Sequence, residues 1–91
     1  MCDVEYLKIA GYLKSSTYRL NVVKFLNNVD YSMPREIAKG INIKPNHISK
    51  VLKDLKEKDI VECVNPEARK GRLYHLTSTG EKVVPYLEKI K

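Results

Sequence analysis

The sequence predicts an α+β fold, mostly α, organised as one small domain over residues 1–91. Three observations carry this expectation. Apolar residues recur at three- and four-residue steps through most of the chain, and the texture turns β-rich only between Ile60 and Leu76. With 91 residues there is room for a single hydrophobic core.

Taken in order, Val4 to Lys14 carries apolar side chains at Val4, Tyr6, Leu7, Ile9, Ala10 and Leu13. That stripe is wider than one amphipathic face and predicts a helix covered on two sides. Ser15 and Ser16 can cap a second helix, Thr17 to Asn27, in which Leu20, Val22, Val23, Phe25 and Leu26 recur with helical spacing. Asn27, Asn28 and Asp30 interrupt the pattern, and a very short extended piece, Tyr31 to Met33, follows. Pro34 suits the first position of a short helix, Arg35 to Lys39, with Ile37 and Ala38 facing inward and Gly40 placed to end it.

A longer helix opens at Pro45 and runs to about Lys58. Its apolar residues Ile48, Val51, Leu52 and Leu55 form one stripe of a 3.6-residue period, and the opposite face is polar. The runs Ile60 to Val64 and Leu73 to Leu76 flank a polar stretch, NPEARKGR at 65–72, and read as a hairpin with a long loop. Thr77 or Ser78 can cap a last helix, Thr79 to Ile90, which Pro85 is expected to split or kink. No internal repeat is visible.

This order of elements is the winged helix-turn-helix arrangement: a two- to three-stranded antiparallel wing with flanking N- and C-terminal helices. In a helix-turn-helix the first helix braces the backbone and the outward face of the second enters the major groove. Arg35 to Lys39, the turn GINIK and Pro45 to Lys58 fit that plan. Opposite the apolar stripe stand Asn46, His47, Lys50, Lys53 and Asp54, with Ser49 at the boundary. Asn can pair bidentately with adenine, Lys can reach the guanine acceptors, and His or Ser can serve a base or a phosphate.

Charge supports this reading. Seventeen Lys+Arg against eleven Asp+Glu give a net charge of +6, which favours an anionic partner. Lys44 to Lys58 holds five lysines against Asp54 and Glu57, a balance of +3. The hairpin loop sets Arg69, Lys70 and Arg72 against Glu67, a further +2, whereas the first thirty residues carry only +1. A lysine-rich helix face on its own is most often a solvated face, and Gly71 among its cations could be a soluble turn. Their coincidence with the helix-turn-helix order turns the balance toward nucleic acid. His47 is as readily a solvated residue as a DNA contact, and His75 reads as an ordinary surface histidine.

Other function classes lack their parts. No Gly-rich phosphate loop, nucleophile elbow or HExxH pattern is present, so no catalytic activity and no cofactor are expected. Cys2 and Cys63 form neither a disulfide framework nor a CxxC pair and read as a free thiol and a small hydrophobe, with no metal site. Apolar runs are far shorter than the roughly 20 residues of a membrane span, and no leader pattern opens the chain, so no membrane partner and a cytoplasmic location are expected.

The stretch from Ser15 to Gly80 resembles the ArsR/MarR-type winged-helix transcriptional regulators, especially the short single-domain versions common in archaea. Three segments carry the resemblance: SSTYRLNVVKFL, with Arg19 and Leu20 in the matching positions; MPREIAKGINIKPNHISKVLKDLKEKDIVE, with its Glu-Ile-Ala and its Leu-x-x-Leu; and RKGRLYHLTSTG, similar to the return strand of the wing and the start of the next helix. The resemblance implies a recognition helix whose Lys44, Asn46, His47, Ser49, Lys50 and Lys53 meet the major groove of double-stranded DNA. It also implies that Arg69, Lys70 and Arg72 meet the minor groove or its phosphates, that Arg35 meets the backbone, and that Leu52, Leu55, Tyr74 and Leu76 are core. The clustered cysteines or paired ligands of metal-sensing relatives are missing here, and the small-molecule effector is not indicated.

Such regulators bind palindromic DNA as dimers with half-sites roughly 34 Å apart. Tyr6, Ile9 and Leu13 of the first helix and Val83, Val84, Leu87 and Ile90 of the last exceed what a small core needs and could form a homodimer surface; the plainer alternative is that they cover the back of the domain. The rival function is a winged-helix protein- or RNA-interaction module without sequence-specific DNA binding, because a fold alone does not fix function. Charge gathered on both recognition helix and wing favours DNA.

Overall fold

The computed structural model describes residues 2–89. Among them five helices and one two-stranded sheet follow in the order α1 (Cys2–Lys14), α2 (Thr17–Asn27), α3 (Pro34–Gly40), α4 (Pro45–Glu57), β1 (Val61–Cys63), β2 (Tyr74–Leu76) and α5 (Ser78–Lys89). The winged helix-turn-helix order expected from the sequence is present.

Helix starts follow local chemistry. Ser16 lies in extended backbone before α2, and its hydroxyl accepts the Arg19 N–H at 3.4 Å, satisfying one of the donors a helix start leaves over. Pro34 and Pro45 open α3 and α4, where a missing N–H removes no helical bond and φ is already set. The Glu36 carboxylate accepts the Ser32 hydroxyl at 3.3 Å and the Met33 N–H at 3.5 Å, fixing the entry to α3.

Both helices of the helix-turn-helix end in the same way. After α3, Asn42 takes φ 60° and donates to the Lys39 carbonyl at 3.3 Å, while Ile43 donates to Ala38 at 2.9 Å. After α4, Asp59 takes φ 61° and donates to Lys56 at 3.0 Å, while Ile60 donates to Leu55 at 3.0 Å. This pair of bonds is the Schellman motif, with Asn and Asp where glycine is commoner because their short polar side chains tolerate the left-handed region.

β1 and β2 are antiparallel, with Val61 opposite Leu76, Glu62 opposite His75 and Cys63 opposite Tyr74. The Val64 N–H to Leu73 carbonyl bond, 2.7 Å, carries the pairing one step further. On the other edge of β2, Ser32 and Tyr74 exchange two backbone bonds of 3.0 and 2.9 Å. The extended piece before α3 is thus a third strand reduced to one bridge, and it ties the entry of α3 to the wing.

One buried cluster joins Ala10 and Leu13 of α1, Val22, Val23 and Leu26 of α2, Ile37 and Ala38 of α3, and the whole α4 stripe to Ile60, Val61, Leu76, Val83 and Leu87. Four parts meet at Thr77. Its hydroxyl donates to the Asp59 carbonyl at 2.6 Å and accepts the Gly80 N–H at 3.0 Å, and its N–H donates to the Ile60 carbonyl at 3.0 Å. The end of α4, the foot of each strand and the first turn of α5 are locked together there. Gly80 lies directly against the Ile60 carbonyl, and a Cβ would overlap that backbone oxygen.

Three expectations are corrected, and one is met for a further reason. α1 is covered on one side only: Ala10 and Leu13 are buried, but Val4 and Leu7 stay 59% and 44% exposed. Gly40 ends α3 as expected, with the left-handed turn two residues on at Asn42, and the Phe25 ring lies where a Cβ on Gly40 would stand. α5 runs unbroken through Pro85, whose ring is on the exposed side. Leu13, Val83 and Leu87 are consumed by the core of this one chain and have no surface left for a partner, while Tyr6, Ile9 and Val84 pack half-buried against it. Ile90 lies outside the described residues.

Two glycine substitutions separate the packing terms. Gly80→Ala is expected to lower stability in urea denaturation by about 1–3 kcal/mol, because the opposing atom is backbone and cannot turn aside. Gly11→Ala, where nothing stands within 4 Å, is expected to raise it by about 0.5–1 kcal/mol through helix propensity alone.

Candidate nucleic-acid interface

Burial of Ile48, Val51, Leu52 and Leu55 turns the opposite side of α4 to solvent. Lys44, Asn46, His47, Ser49, Lys50 and Lys53 are all exposed there. The Ser49 hydroxyl donates to the Pro45 carbonyl at 3.4 Å and so presents its oxygen outward as an acceptor. Asp54 departs from this group: it is half-buried and borders a hollow between α4 and the first turn of α2, with Ser16, Tyr18 and Arg19 opposite.

The wing loop is ordered by one side chain. Asn65, its first residue, accepts the Leu73 N–H at 2.7 Å through Oδ1 and donates Nδ2 to the Gly71 carbonyl at 3.2 Å. It therefore closes the loop across its base, standing in for the next rung of the ladder. Further out, Ala68 donates to the Asn65 carbonyl at 3.0 Å, and Arg72 Nε donates to the Ala68 carbonyl at 2.8 Å. Gly71 turns the chain back with φ 68°. Cys63 is half-buried, with its Sγ 3.7 Å from Asn65 Oδ1, so it adjoins this closure and is not core.

Arg69, Lys70 and Arg72 are exposed, and they share a hollow of about 420 Å³ with Met33, Pro34 and Arg35 at the start of α3. Arg35, separated from the wing by more than thirty residues of chain, is thereby placed with its three cations. The Ser32–Tyr74 bridge accounts for this juxtaposition, since it fastens the entry of α3 to β2.

Among the described residues the one contact between a basic and an acidic side chain is the hydrogen bond of His75 Nε2 with Glu62 Oε2, 2.8 Å across the two strands. No cation of α3, α4 or the wing loop is in an ion pair with another of the described residues. Their charge is directed outward, available to an external anion. His75 is accounted for by that cross-strand pair. No three His, Cys, Asp or Glu side chains converge as a metal site among the described residues, and no helix among them is long and apolar enough to cross a membrane.

Sequence reasoning passed over Asn65 and Tyr18, and it placed Arg19 in a matching position without giving it a role. Asn65 opens an eight-residue polar loop between two apolar runs, and an Asn in that place is a signal for side-chain closure of the turn. Arg19 lies 4.1 Å from the Tyr12 ring centroid and donates to the Tyr12 carbonyl at 3.3 Å, which makes it a brace between α1 and α2. Tyr18 is an aromatic on the polar side of α2, against His47.

No protein-family model and no curated protein matches the sequence. Solved structures do match. MepR, a transcription regulator of the Staphylococcus aureus multidrug efflux pump MepA, superposes with a TM-score of 0.73 at 21% identity over 99% of this chain and 70% of its own. The homodimeric winged helix-turn-helix DNA-binding domain of Mb0332 from Mycobacterium bovis gives 0.67 at 20% identity, over 96% of this chain and 76% of that fragment. RV1404 from Mycobacterium tuberculosis gives 0.73 at 17% identity over 81% of this chain, which spans 51% of its length. The chain thus spans about half the length of some of the proteins it resembles, and at these identities the likeness shows the shared winged-helix fold.

If Asn65 holds the wing, Asn65→Ala will free the Leu73 amide. Hydrogen exchange at Leu73 and Gly71 is expected to accelerate at least tenfold while amides of α4 keep their protection, corresponding to about 1–2 kcal/mol of local opening.

Proposed function

We propose that this chain is a double-stranded-DNA-binding transcriptional regulator. The observation that carries the reading is the grouping of Arg35 with Arg69, Lys70 and Arg72 around one hollow, beside an α4 whose apolar stripe is fully buried and whose polar side is open. α4 would enter the major groove with Asn46, His47, Ser49, Lys50 and Lys53 toward base edges and Lys44 toward the backbone, while Arg35 and the wing grip the adjacent phosphates or minor groove. A solved MepR–DNA complex shares the fold, with a TM-score of 0.72 at 20% identity over 82% of this chain and 63% of that one, and supports the reading. Nothing in the site calls for catalysis, and the proposed role is sequence-specific binding in the cytoplasm.

The experiment is fluorescence anisotropy with the gene's own upstream region and a scrambled duplex across a salt series. With five to eight phosphate contacts, the log–log salt slope is expected near −0.9 per contact, roughly −4.5 to −7. Asn46→Ala and Lys50→Ala should each weaken binding to the preferred duplex by about 1–3 kcal/mol and relax its preference, whereas Lys70→Ala should weaken all duplexes alike. Equal losses on both duplexes for all three would refute the division of roles. Absence of binding to either duplex at low salt would transfer the basic face to a protein or RNA partner.

We further infer a homodimer. The open apolar side of α1, Val4 and Leu7, lies beside half-buried Tyr6 and Ile9, and Mb0332 is a homodimer on the same fold. Sedimentation is expected to show a dimer at micromolar concentration that Leu7→Glu converts to monomer. A wild-type monomer both free and on DNA would remove the inference.

A further inference from the structure

Most aromatic side chains of this protein serve the core. Tyr6, Tyr12, Phe25, Tyr74 and Tyr86 pack half-buried against it, whereas Tyr18 is 41% exposed and takes no part in it. What Tyr18 touches is His47. The two rings lie 5.6 Å apart between centroids, with planes inclined by 36°. That separation falls within the roughly 4.5–7 Å range of aromatic pairs. The contact joins the first turn of α2 to the first turn of α4, two elements that meet through the core and present these two side chains to solvent.

The surroundings explain why the contact matters. His47 is exposed, and its side chain makes no hydrogen bond with another of the described residues; its backbone N–H is engaged with the Lys44 carbonyl at 3.0 Å. An imidazole so placed would sample several rotamers, and ordering it on a ligand would oppose binding. The Tyr18 ring restricts that motion from one side, and the Ser16 cap holds the turn of α2 that carries Tyr18. Beside the pair opens a hollow of about 300 Å³ whose other walls include Arg19, Lys50 and Asp54. With a carboxylate and two cations on its walls, the hollow carries no clear preference for a free anion. It leaves the Tyr18–His47 pair free to present an imidazole edge next to Lys50.

We propose that Tyr18 is a specificity-determining positioning residue: by ring packing it fixes the direction of the His47 imidazole on the recognition helix, and so sets a sequence preference at a position Tyr18 does not itself read. This deepens the DNA-binding reading and rests on it. It separates two tasks within one small surface, since Lys50 and Asn46 supply bonds whereas Tyr18 supplies preorganisation.

The test uses the full chain with Tyr18→Phe, Tyr18→Leu, His47→Ala and the double variant Tyr18→Leu/His47→Ala, each checked for an unchanged melting temperature. The duplex is one enriched from a randomised pool by the wild-type protein, measured against its scrambled counterpart. Tyr18→Leu is expected to reduce the preferred-to-scrambled affinity ratio about tenfold, the scale of one lost base contact. His47→Ala should do the same, the double variant should lose no more than either, and Tyr18→Phe should retain the wild-type ratio. In the free protein, the His47 ring proton resonances should move in Tyr18→Leu and stay in Tyr18→Phe, with those of His75 constant.

Losses that multiply in the double variant would overturn the proposal, because independent contacts add in free energy. An equal loss by Tyr18→Phe on both duplexes would also overturn it, making the hydroxyl a phosphate contact. Failure of the wild type to prefer any duplex would remove the DNA reading itself. The resonance experiment still stands in that case: unmoved His47 signals in Tyr18→Leu would show that Tyr18 does not orient the ring.

Discussion

The hydrogen bonds around Thr77 join parts of the chain that are distant in sequence, and the placement of the wing depends on them. The Asp59 and Ile60 carbonyls belong to the turn that ends α4, and Thr77 and Gly80 belong to the start of α5. Because both strands begin or end at this knot, the hairpin leaves the domain in a direction fixed relative to α4. The left-handed Asp59 is what aims the Ile60 carbonyl at Thr77, and Gly80 is what lets the chain approach that carbonyl. A domain of this size has little surplus stability. Placing a fully bonded polar knot at the base of the wing orients it without leaving any buried side-chain polar atom unpartnered among the described residues.

The second ordering principle is electrostatic. A net charge of +6 on a chain this short would oppose compactness if the cations clustered without purpose. Here the back of the domain is close to neutral, and the excess lies on α4, at the start of α3 and in the wing loop. Among the described residues those cations meet no carboxylate in an ion pair, so their charge is not neutralised within the described part of the chain. The two-bond bridge between Ser32 and Tyr74 brings Arg35 into that group, so backbone geometry and charge distribution reinforce each other.

How much of this is legible in the sequence depends on the range of the forces involved. The Ile48, Val51, Leu52, Leu55 stripe and Pro45 at the helix start are local signals, and α4 appears where they place it. The strand runs around NPEARKGR are equally local, although the paired ladder is shorter than the apolar runs. What escapes is tertiary. Gly40 reads as a helix stop and is one, but the Phe25 ring that lies against it comes from another helix. Pro85 reads as a break, yet packing of Val83 and Leu87 holds α5 together across it. The apolar width of α1 reads as two-sided burial, but in one chain only one side finds a partner. Of the candidate interface, five α4 residues and the three wing cations follow from periodicity and charge, whereas Lys44, at the N-cap of α4, follows from the family resemblance. The hollow that unites Arg35 with the wing could not be read, because it depends on a single backbone bridge, and Tyr18 could not, because it acts through another side chain.

The closure of the wing by Asn65 has a consequence for how such a scaffold can change over time. Because the bonds that shut the loop lie at its base, Pro66, Glu67, Arg69 and Lys70 are exposed and contribute nothing to the core. Sequence drift at those four positions leaves the loop closure intact, whereas drift at Asn65 opens the base of the wing. The domain therefore carries a tip that can be changed by single substitutions, while α4 and the knot that orients the wing remain under the constraint of folding.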